Sequence, residues 1–395
     1  MQNKVLVIAL LVFTSVTLCC CHRKDSPTIA VIHLKTDQTI PWEGRCSCDV
    51  GYVTSNDSLN LSGKIKYRGG VSSKFNKHSY ALKLMEPFPF GGLPANKSWV
   101  LNASYIDKTF MRHKICYDLF RMMGENDLSP QCFYALVREN GKEQGLYIVM
   151  QRLNKQTLQL NLLDDNALIF KEPKIFYPDS LLPSREPGAT NYHEQTYPDF
   201  DKGEDCTAVM DSFRNFLLKA SDQEFEVQIG QWVDLNNIID WQLLIMFTNN
   251  GDGVFKNFYL YKKDNTTPFR IALWDCDHSL GRDGDNELNM LERPANYRKN
   301  IMLNRLMGMH TYREALAERY RQLRDNGIFS VQTFKHMVQE NDPYIRLGLP
   351  ENEKLWPCNS DNYYDDNNYE QEKALLLDFI PLSLQKWDKF FGYKQ

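Results

Sequence analysis

The sequence first limits its own functions through what it lacks. Its 395 residues carry a formal net charge of −4 without long blocks of one sign, and no basic stripe alternates with aromatic side chains. It contains no GxSxG motif, no HExxH motif and no CxxC pair. The sequence therefore gives no support to nucleic-acid binding, to the common serine-hydrolase and zinc-protease motifs, or to zinc held by paired cysteines. A pair of glycosidase carboxylates stays open, because a fold can bring any two acids together.

What the sequence does contain is enough apolar material for a large folded chain. Hydrophobic residues make up 43% of it and aromatic residues 12%. This composition argues against disorder and allows one large core or two lobes. No segment recurs with a period of about 20 to 50 residues, so a repeat architecture is not expected.

Residues 1–21 have the pattern of an export signal rather than of a folded segment. Lys4 precedes an apolar run over residues 5–16 that is too short for a mature membrane span. The run leads to LCCC at residues 18–21, which resembles the lipobox of bacterial lipoproteins. We therefore expect lipidation of Cys21 and a lipid-anchored protein of the bacterial cell envelope, periplasmic or on the cell surface. The alternative is an ordinary cleaved signal with three incidental cysteines.

Seven cysteines follow this segment, and their number is odd. An exported protein permits disulfides, but their pairing is not readable from the sequence. Cys46 and Cys48 are too close for an easy bridge to each other, and Cys116 lies on an apolar helix face, as buried thiols do. We assign no chemistry to any of them. The seven are Cys46, Cys48, Cys116, Cys132, Cys206, Cys276 and Cys358.

Residues 22–150 are predicted to form a strand-rich N-terminal lobe around one helix. Apolar and polar residues alternate near residues 65–67 and again at 80–84, which indicates two strands that flank a loop containing glycine and serine. Asp107 is the expected N-cap of a helix over residues 108–124. Further strands are predicted at 99–101 and, as a hairpin across Asn140-Gly141, at 133–137 and 145–150.

Residues 151–395 are predicted to form a mainly helical C-terminal lobe that carries one strand hairpin. Two polar stretches, 172–205 and 357–370, are expected to be surface loops. Together the two parts predict an α+β protein. Helices are expected at about 206–220, 234–248, 300–325, 331–341 and 369–391.

The hairpin of the second part is where candidate functional residues converge. Its strand-like runs, 257–262 and 269–274, are joined by a polar turn. Reflection about the centre of that turn places Asn257 opposite Trp274 or Asp275. A single hairpin therefore brings an amide and a carboxylate together without help from distant residues.

The acids at this end of the hairpin form a candidate metal site. If the second strand continues, Asp275 and Asp277 share one face, because side chains of a strand alternate with a period of two. Carboxylate and amide oxygens are the hard ligands that Mg²⁺ and Ca²⁺ prefer. An EF-hand beginning at Asp275 would need glycine and glutamate where the chain has Leu280 and Asn286, so the EF-hand is excluded. The alternative is a solvated hairpin whose acids hold no ligand.

A further carboxylate, Asp252, precedes Asn257 by five residues and could orient a hydroxyl or accept its proton. Protein kinases divide the work in this way: a catalytic-loop aspartate, an asparagine five residues later on the metal, and a metal-binding aspartate after the next hairpin. The spacing alone is a weak signal. It gains weight from the hairpin that follows and from the Asp-x-Asp that ends it.

Four ordered blocks of the sequence carry a resemblance to a known family. They are IKYRGGVSSKFNKHSYALKL, SWVLNASYIDKTFMRHKICYDLF, ENGKEQGLYIVMQRL, and DGVFKNFYLY together with ALWDCDHSLG. In these blocks the chain resembles the CotH-type family of spore-coat kinases, with Trp99, Asp107 and Arg112 in the family's usual positions. The resemblance implies a divergent bilobal protein-kinase-like fold, with a strand-rich N-terminal lobe and a helical C-terminal lobe.

The resemblance also implies an activity, namely metal- and ATP-dependent phosphoryl transfer to a protein hydroxyl. Carried over by position, Asp252 would be the catalytic residue. Asn257 and Asp275 would hold Mg²⁺ or Mn²⁺, and Asp277 would support them. Because phosphoryl transfer depends on positioning and on charge, loss of any of these residues should be severe.

A cation of the N-terminal lobe should reach the nucleotide phosphates, and three candidates stay open. Lys83 lies in a strand and Lys77 opens the same strand, whereas Arg68 beside two glycines could bind a phosphate through two hydrogen bonds. Two positions depart from the family pattern. Val71 stands where an asparagine is usual, and Gln151 where a glutamate is common.

A second function is compatible with the same sequence. A kinase-like surface lipoprotein with weak or no catalysis could bind a partner protein or a glycan through its aromatic loops at 172–200 and 355–370. The intact set of Asp252, Asn257 and Asp275 favours the enzyme, because a pure binding module has no need of all three.

Overall fold

Residues 27–185, 191–282, 295–357 and 367–394 are described by the structure, which is a computed structural model. The expected signal and Cys21 lie outside these residues, as do parts of both predicted surface loops. The described chain combines a seven-stranded barrel, a four-stranded sheet and helices. This confirms the predicted α+β class.

The barrel is formed by the first seven strands of the chain. They are β1 (Ala30–Lys35), β2 (Cys46–Val53), β3 (Ser58–Arg68), β4 (Ser79–Phe88), β5 (Asn96–Asn102), β6 (Cys132–Glu139) and β7 (Lys142–Gln151). Their order around the barrel is β1-β2-β3-β4-β5-β7-β6, and a parallel pairing of β1 with β6 closes it. The inward side chains form one hydrophobic cluster, which includes Ile65, Leu82, Trp99 and Tyr147.

The two strands predicted around the glycine- and serine-containing loop are present as β3 and β4. They pair antiparallel, with Ile65 opposite Leu82 and Lys64 opposite Lys83. Ile65 and Leu82 are buried in the barrel, while Lys83 is exposed. The alternation of apolar and polar residues in the sequence therefore corresponds to the inner and outer faces of the barrel wall.

The hairpin predicted across Asn140-Gly141 is also confirmed, as β6 and β7. Asn140 has a φ of 48° and Gly141 a φ of 80°. A two-residue connection between antiparallel strands favours positive φ at both positions, and the pair Asn-Gly adopts it at low cost. Local turn chemistry was therefore sufficient to predict this element.

The helix α1 (Arg112–Met123) begins four residues later than the sequence predicted. The Asp107 carboxylate accepts hydrogen bonds from the amides of Thr109, at 3.1 Å, and Arg112, at 2.9 Å. Between them Phe110 has a φ of 57°, which a helix does not allow. Asp107 thus holds a tight turn ahead of the helix, where we expected a simple N-cap.

The second part of the chain contains a four-stranded sheet and seven helices in its described residues. The sheet order is β11-β10-β8-β9. Its strands are β8 (Leu168–Lys171), β9 (Gln195–Tyr197), β10 (Phe258–Lys262) and β11 (Arg270–Leu273). The helices are α2 (Ala208–Lys219), α3 (Asp222–Trp232), α4 (Leu235–Thr248), α5 (Ile301–Leu306), α6 (His310–Asp325), α7 (Val331–Leu355) and α8 (Tyr369–Phe391).

Several helix predictions hold, and others differ for identifiable reasons. α4 and α8 match the predicted ranges closely. The predicted helix over 300–325 is two helices, because the chain turns at Gly308, whose amide bonds to the Arg305 carbonyl. α3 was missed, although Ser221 and Glu224 form a capping box at its start. The region predicted as one long loop, 172–205, contains β9.

α7 continues well beyond residue 341, where the prediction ended it, and includes two prolines. Its buried face lies against the barrel. A Cβ atom added at Gly348 would come within 2.9 Å of Leu146 and 3.1 Å of Leu136, so helix and barrel approach closely at this point. Packing against the barrel therefore maintains a helix that its prolines weaken.

The described residues include no helix that is both long and apolar enough to span a bilayer. Within them the six cysteines are unpaired thiols, and burial raises the pKa of several, Cys48 and Cys132 to about 12. The other four cysteines, Cys358 and the three at residues 19–21, lie outside the described residues.

Candidate active site and metal centre

The hairpin of β10 and β11 has one of the two predicted registers. Phe258 pairs with Leu273, and the Trp274 amide donates to the Asn257 carbonyl at 3.0 Å. Asn257 therefore lies opposite Trp274. Asn257 and Asp275 have φ values of 63° and 50°, in the left-handed region that asparagine and aspartate tolerate best among residues with a Cβ. Both turn the chain at the end of the hairpin that is opposite its connecting turn, which we call the open end.

Asp275 and Asp277 lie close together beside a histidine from α1. One ligand-type atom each of His113, Asp275 and Asp277 lies within 4.8 Å of the others. The Asp275 side chain is 42% exposed, whereas His113 is buried. Burial, followed by the charge of Asp275, raises the pKa of Asp277 to about 6. Two acids thus share a small space at the edge of solvent.

Asp252 lies in a single helical turn after α4, and it is paired with a lysine. Its carboxylate is 2.9 Å from the Lys256 ammonium, and both side chains are partly exposed. Burial lowers the pKa of Lys256, but the hydrogen bond to Asp252 and the charges of Asp252, Glu172 and Asp275 outweigh it and raise that pKa. Lys256 therefore stays a cation among three carboxylates.

Glu172 is a residue of this site that sequence reasoning missed. It follows β8 directly, and its carboxylate accepts a hydrogen bond from the backbone amide of Asn257 at 3.2 Å. Because β8 pairs with β10, the end of β8 lies at the start of β10. Nothing in the sequence indicates that pairing, since residues 172–205 read as a polar loop.

Arg68 is the candidate phosphate-binding cation that lies at the open end of the hairpin. Its guanidinium is 5.7 Å from the centre of the Trp274 ring, and Trp274 precedes Asp275. The end of β3 therefore lies beside Trp274, the residue that precedes Asp275.

Lys83 lies on the same face of the barrel wall as Arg68 but at a distance from it. It is opposite Lys64, which is four residues from Arg68 along β3, or about 13 Å at the rise of a strand. Lys83 lines a cleft of about 960 Å³ together with Lys97, Arg152 and Lys155. Arg68 and Lys83 thus occupy two separate places along one strand pair.

Lys77 has the contacts of a structural tie. It is 2% exposed, and its ammonium donates to the Ala103 carbonyl and to Oδ1 of Asn352, each at 2.8 Å, and to the Leu146 carbonyl. It also lies 4.3 Å from the centre of the Tyr147 ring. These contacts join the barrel to α7, and none of them is with the hairpin.

The donor set at the open end fits a hard divalent metal ion. Asp275 and Asp277 supply carboxylates, and the buried side-chain amide of Asn257 has no hydrogen bond to any residue that the structure describes. Oxygen ligands of this kind suit Mg²⁺ or Mn²⁺ better than softer metals. The three residues predicted as metal ligands are therefore compatible with that role.

The sequence matches a protein family along most of its length. The family described as CotH kinase protein matches residues 65–384, a span that includes every residue discussed in this site. The chain belongs to this family. It is also similar to the inner spore coat protein H of Bacillus subtilis (strain 168), with 26% identity over 275 residues, which cover 69% of this chain and 73% of that protein.

Proposed function

We propose that this protein transfers the γ-phosphoryl group of ATP to a protein hydroxyl, with Mg²⁺ or Mn²⁺ held at the open end of the hairpin. The observation that carries the proposal is the hairpin register, which sets Asn257 opposite Trp274 and so brings it beside Asp275. Membership of a family described as kinases supports it. The barrel and the second part would be the two lobes of a divergent kinase-like fold.

The nucleotide would lie between the barrel and the second sheet. Arg68 at the hairpin and Lys83 in the cleft lie on one face of β3 and β4, so one extended nucleotide could contact both. Arg68 is the better candidate for the phosphates, because it contacts Trp274, which directly precedes Asp275. Lys77 is fully occupied in joining the barrel to α7, and we assign it no phosphate contact.

In this mechanism Asp252 orients the acceptor hydroxyl and takes its proton. The hydroxyl oxygen forms a bond to the γ-phosphorus, the bond from that phosphorus to the ADP oxygen breaks, and ADP leaves with the electron pair. Lys256, 2.9 Å from Asp252, offsets negative charge on the phosphoryl oxygens. A metal ion bound by Asn257, Asp275 and Asp277 would neutralise phosphate charge.

Transfer of radioactive γ-phosphate from ATP tests this proposal, with casein and the protein's own hydroxyls as acceptors. We expect transfer that needs Mg²⁺ or Mn²⁺, that falls at least about 100-fold in Asp252→Asn, and that persists in Asp165→Asn. Asp165 is a matched control because it is an exposed carboxylate in the turn before β8. Equal transfer by Asp252→Asn would contradict the mechanism. No transfer by folded wild type would favour the partner-binding alternative.

We also propose that the chain is attached to a bacterial envelope membrane by lipid on Cys21. The support is the lipobox-like LCCC sequence after an apolar run. Cys21→Ser should release the protein from the membrane fraction and stop incorporation of labelled fatty acid. Cys20→Ser is the matched control and should keep both. Retention of label in Cys21→Ser would contradict the assignment.

A further inference from the structure

We propose that Glu172 is a positioning residue, whose carboxylate holds the peptide group between Lys256 and Asn257 and thereby places the Asn257 side chain. The proposal rests on the site described under the proposed function, in which Lys256 offsets phosphate charge and Asn257 binds the metal ion. It deepens that site by giving a role to a residue from the end of β8. Glu172 itself would contact neither the metal ion nor the nucleotide.

The contact that carries the proposal is a hydrogen bond between a side chain and the backbone. Oε1 of Glu172 accepts from the backbone amide of Asn257 at 3.2 Å. This N–H belongs to the peptide group that joins Lys256 to Asn257, so one carboxylate holds the link between the two residues. Hydrogen bonds to a charged acceptor are stronger than those between neutral groups. The Glu172 side chain is also largely shielded from water, at 16% exposure.

The hairpin holds the other backbone group of Asn257. The Asn257 carbonyl accepts from the Trp274 amide at 3.0 Å. Both backbone polar groups of Asn257 therefore have partners, whereas its side-chain amide has no hydrogen bond to any residue that the structure describes. Because Asn257 has a φ of 63°, its conformation depends on such support from its surroundings. Loss of the Glu172 contact would release one of the two backbone groups that fix the proposed metal ligand.

Glu172 has an unusual backbone conformation for its residue type. Its φ is 49°, in the left-handed region that asparagine and aspartate enter far more often than glutamate. Its amide donates to the Phe258 carbonyl at 3.1 Å, one residue beyond the last pair of β8 with β10. Left-handed residues other than glycine cost free energy and cluster at functional sites. This conformation therefore favours a role for the Glu172 side chain beyond ending the strand.

A structural ion pair is the other role that the surroundings of Glu172 offer. The Lys171 ammonium is 3.9 Å from Oε1 of Glu172, and it lies closer, at 3.7 Å, to the carboxylate of Glu194. Long ion pairs that involve partly exposed side chains contribute little. The contact with Asn257 is shorter and joins Glu172 to a fixed backbone group, so the geometry favours positioning.

Hydrogen exchange at the Asn257 amide tests the contact in the metal-free, full-length chain. With carbonyl-¹³C lysine and ¹⁵N asparagine, a carbon-edited amide NMR spectrum contains two signals, because Lys-Asn occurs in the sequence only at 256–257 and 299–300. Lys299→Arg removes the second signal and so assigns both.

The two variants of Glu172 should differ in this exchange. Glu172→Met should raise the exchange rate of the Asn257 amide about 10-fold, whereas Glu172→Gln, which keeps an acceptor oxygen, should stay within about threefold of wild type. The amide of Asn300 is the internal control, and its rate should not change. Equal rates at Asn257 in Glu172→Met and wild type would overturn the proposal.

Mn²⁺ affinity, measured by EPR, tests whether the contact positions the metal ligand. Glu172→Met should weaken Mn²⁺ binding about 10-fold, and Glu172→Gln should recover it to within about threefold, because glutamine keeps the acceptor and loses the charge. Glu194→Met is the matched control, since Glu194 pairs with lysines beside β8, and it should bind Mn²⁺ as wild type does. Equal losses in the two Glu172 variants would show that the charge acts, and would overturn a positioning role.

The two measurements separate this proposal from the function on which it rests. Wild type that binds no Mn²⁺ would contradict the proposed metal site, while the exchange rates would still decide whether Glu172 holds the Asn257 peptide group. Faster exchange in Glu172→Met with unchanged Mn²⁺ binding would leave the metal site standing and overturn the positioning role.

Discussion

The barrel and the open end of the hairpin use charged side chains in different ways. Lys77 of the barrel is buried, and its ammonium is surrounded by oxygen acceptors and an aromatic ring. Asp252, Lys256 and Asp275 at the hairpin are 37%, 47% and 42% exposed. The buried charge of Lys77 thus stabilises the fold, whereas the charged side chains at the hairpin are exposed enough for a ligand to contact them.

This difference explains why a lysine in a promising motif is a poor guide to function. Lys77 follows the glycine- and serine-containing loop, where a nucleotide-binding cation was expected, yet its observed contacts join two parts of the fold. Arg68 precedes the same loop and contacts Trp274, the residue before Asp275. Exposure and partners, which the sequence does not give, separate the two residues.

The strongest effect on stability should come from removing the Lys77 ammonium. Lys77→Met would leave the carbonyls of Ala103 and Leu146 and the Asn352 side chain without this donor in a buried place. We expect the free energy of unfolding to fall by about 3 kcal/mol, measured by urea denaturation. A loss below about 1 kcal/mol would contradict a structural role for Lys77.

Removal of the Lys256 ammonium should act on catalysis and leave the fold intact. Lys256→Met should lower the rate of phosphoryl transfer about 100-fold with little change in the unfolding midpoint, because the side chain is half exposed. Lys262→Met is the matched control, since Lys262 is the last residue of β10, at the opposite end from Lys256, which lies two residues before that strand. Equal rates for the two variants would remove Lys256 from the mechanism.

A buried acid pair, Asp127 and Asp240, predicts a pH-dependent stability. Burial, followed by the charge of Asp240, raises the pKa of Asp127 to about 8, and Arg319 binds Asp240. An acid with a raised pKa stabilises the fold while it is protonated. This contribution is complete below its unfolded pKa of about 4 and is lost as pH rises to about 8.

Asp127→Asn tests this effect, because asparagine resembles the protonated acid and can still bond to Asn237. Between pH 5 and pH 8 the unfolding free energy of wild type should fall relative to the variant by at most about 1.4 kcal/mol per pH unit. Thermal unfolding at several pH values measures it. Parallel pH profiles for the two proteins would show that Asp127 is ionised throughout.

Lys83 should have the smallest effect on stability. It is exposed on the outer face of the barrel wall, and Lys83→Met should change the unfolding free energy by less than about 0.5 kcal/mol. The affinity of the Lys83→Met variant for ATP, measured in the same preparation, then tests whether the nucleotide occupies the cleft that Lys83 lines. A weaker affinity would place the nucleotide along the face that Lys83 shares with Arg68, and an unchanged one would confine it to the hairpin end.

Much of the fold could be predicted from the sequence where short-range signals decide it. The turn at Asn140-Gly141, the pairing of β3 with β4 and the register that sets Asn257 opposite Trp274 depend on alternation and turn residues. The length of α7 was not predictable, because its contact with the barrel maintains it across two prolines.

The candidate site was predictable only in part. Asp252, Asn257, Asp275 and Asp277 lie within one stretch of chain. His113 and Glu172 come from α1 and from the end of β8, and they reach the site through tertiary contacts that leave no local pattern. For the same reason the choice among Arg68, Lys77 and Lys83 needed the structure.

The central claim is that the open end of the hairpin binds a nucleotide through a divalent metal ion. Calorimetric titration of the folded protein with ATP, in Mg²⁺, in Mn²⁺ and without metal, tests it directly. The account predicts metal-dependent binding by wild type and Asp165→Asn and none by Asp275→Asn. No binding with either metal, or equal binding by Asp275→Asn, would contradict it.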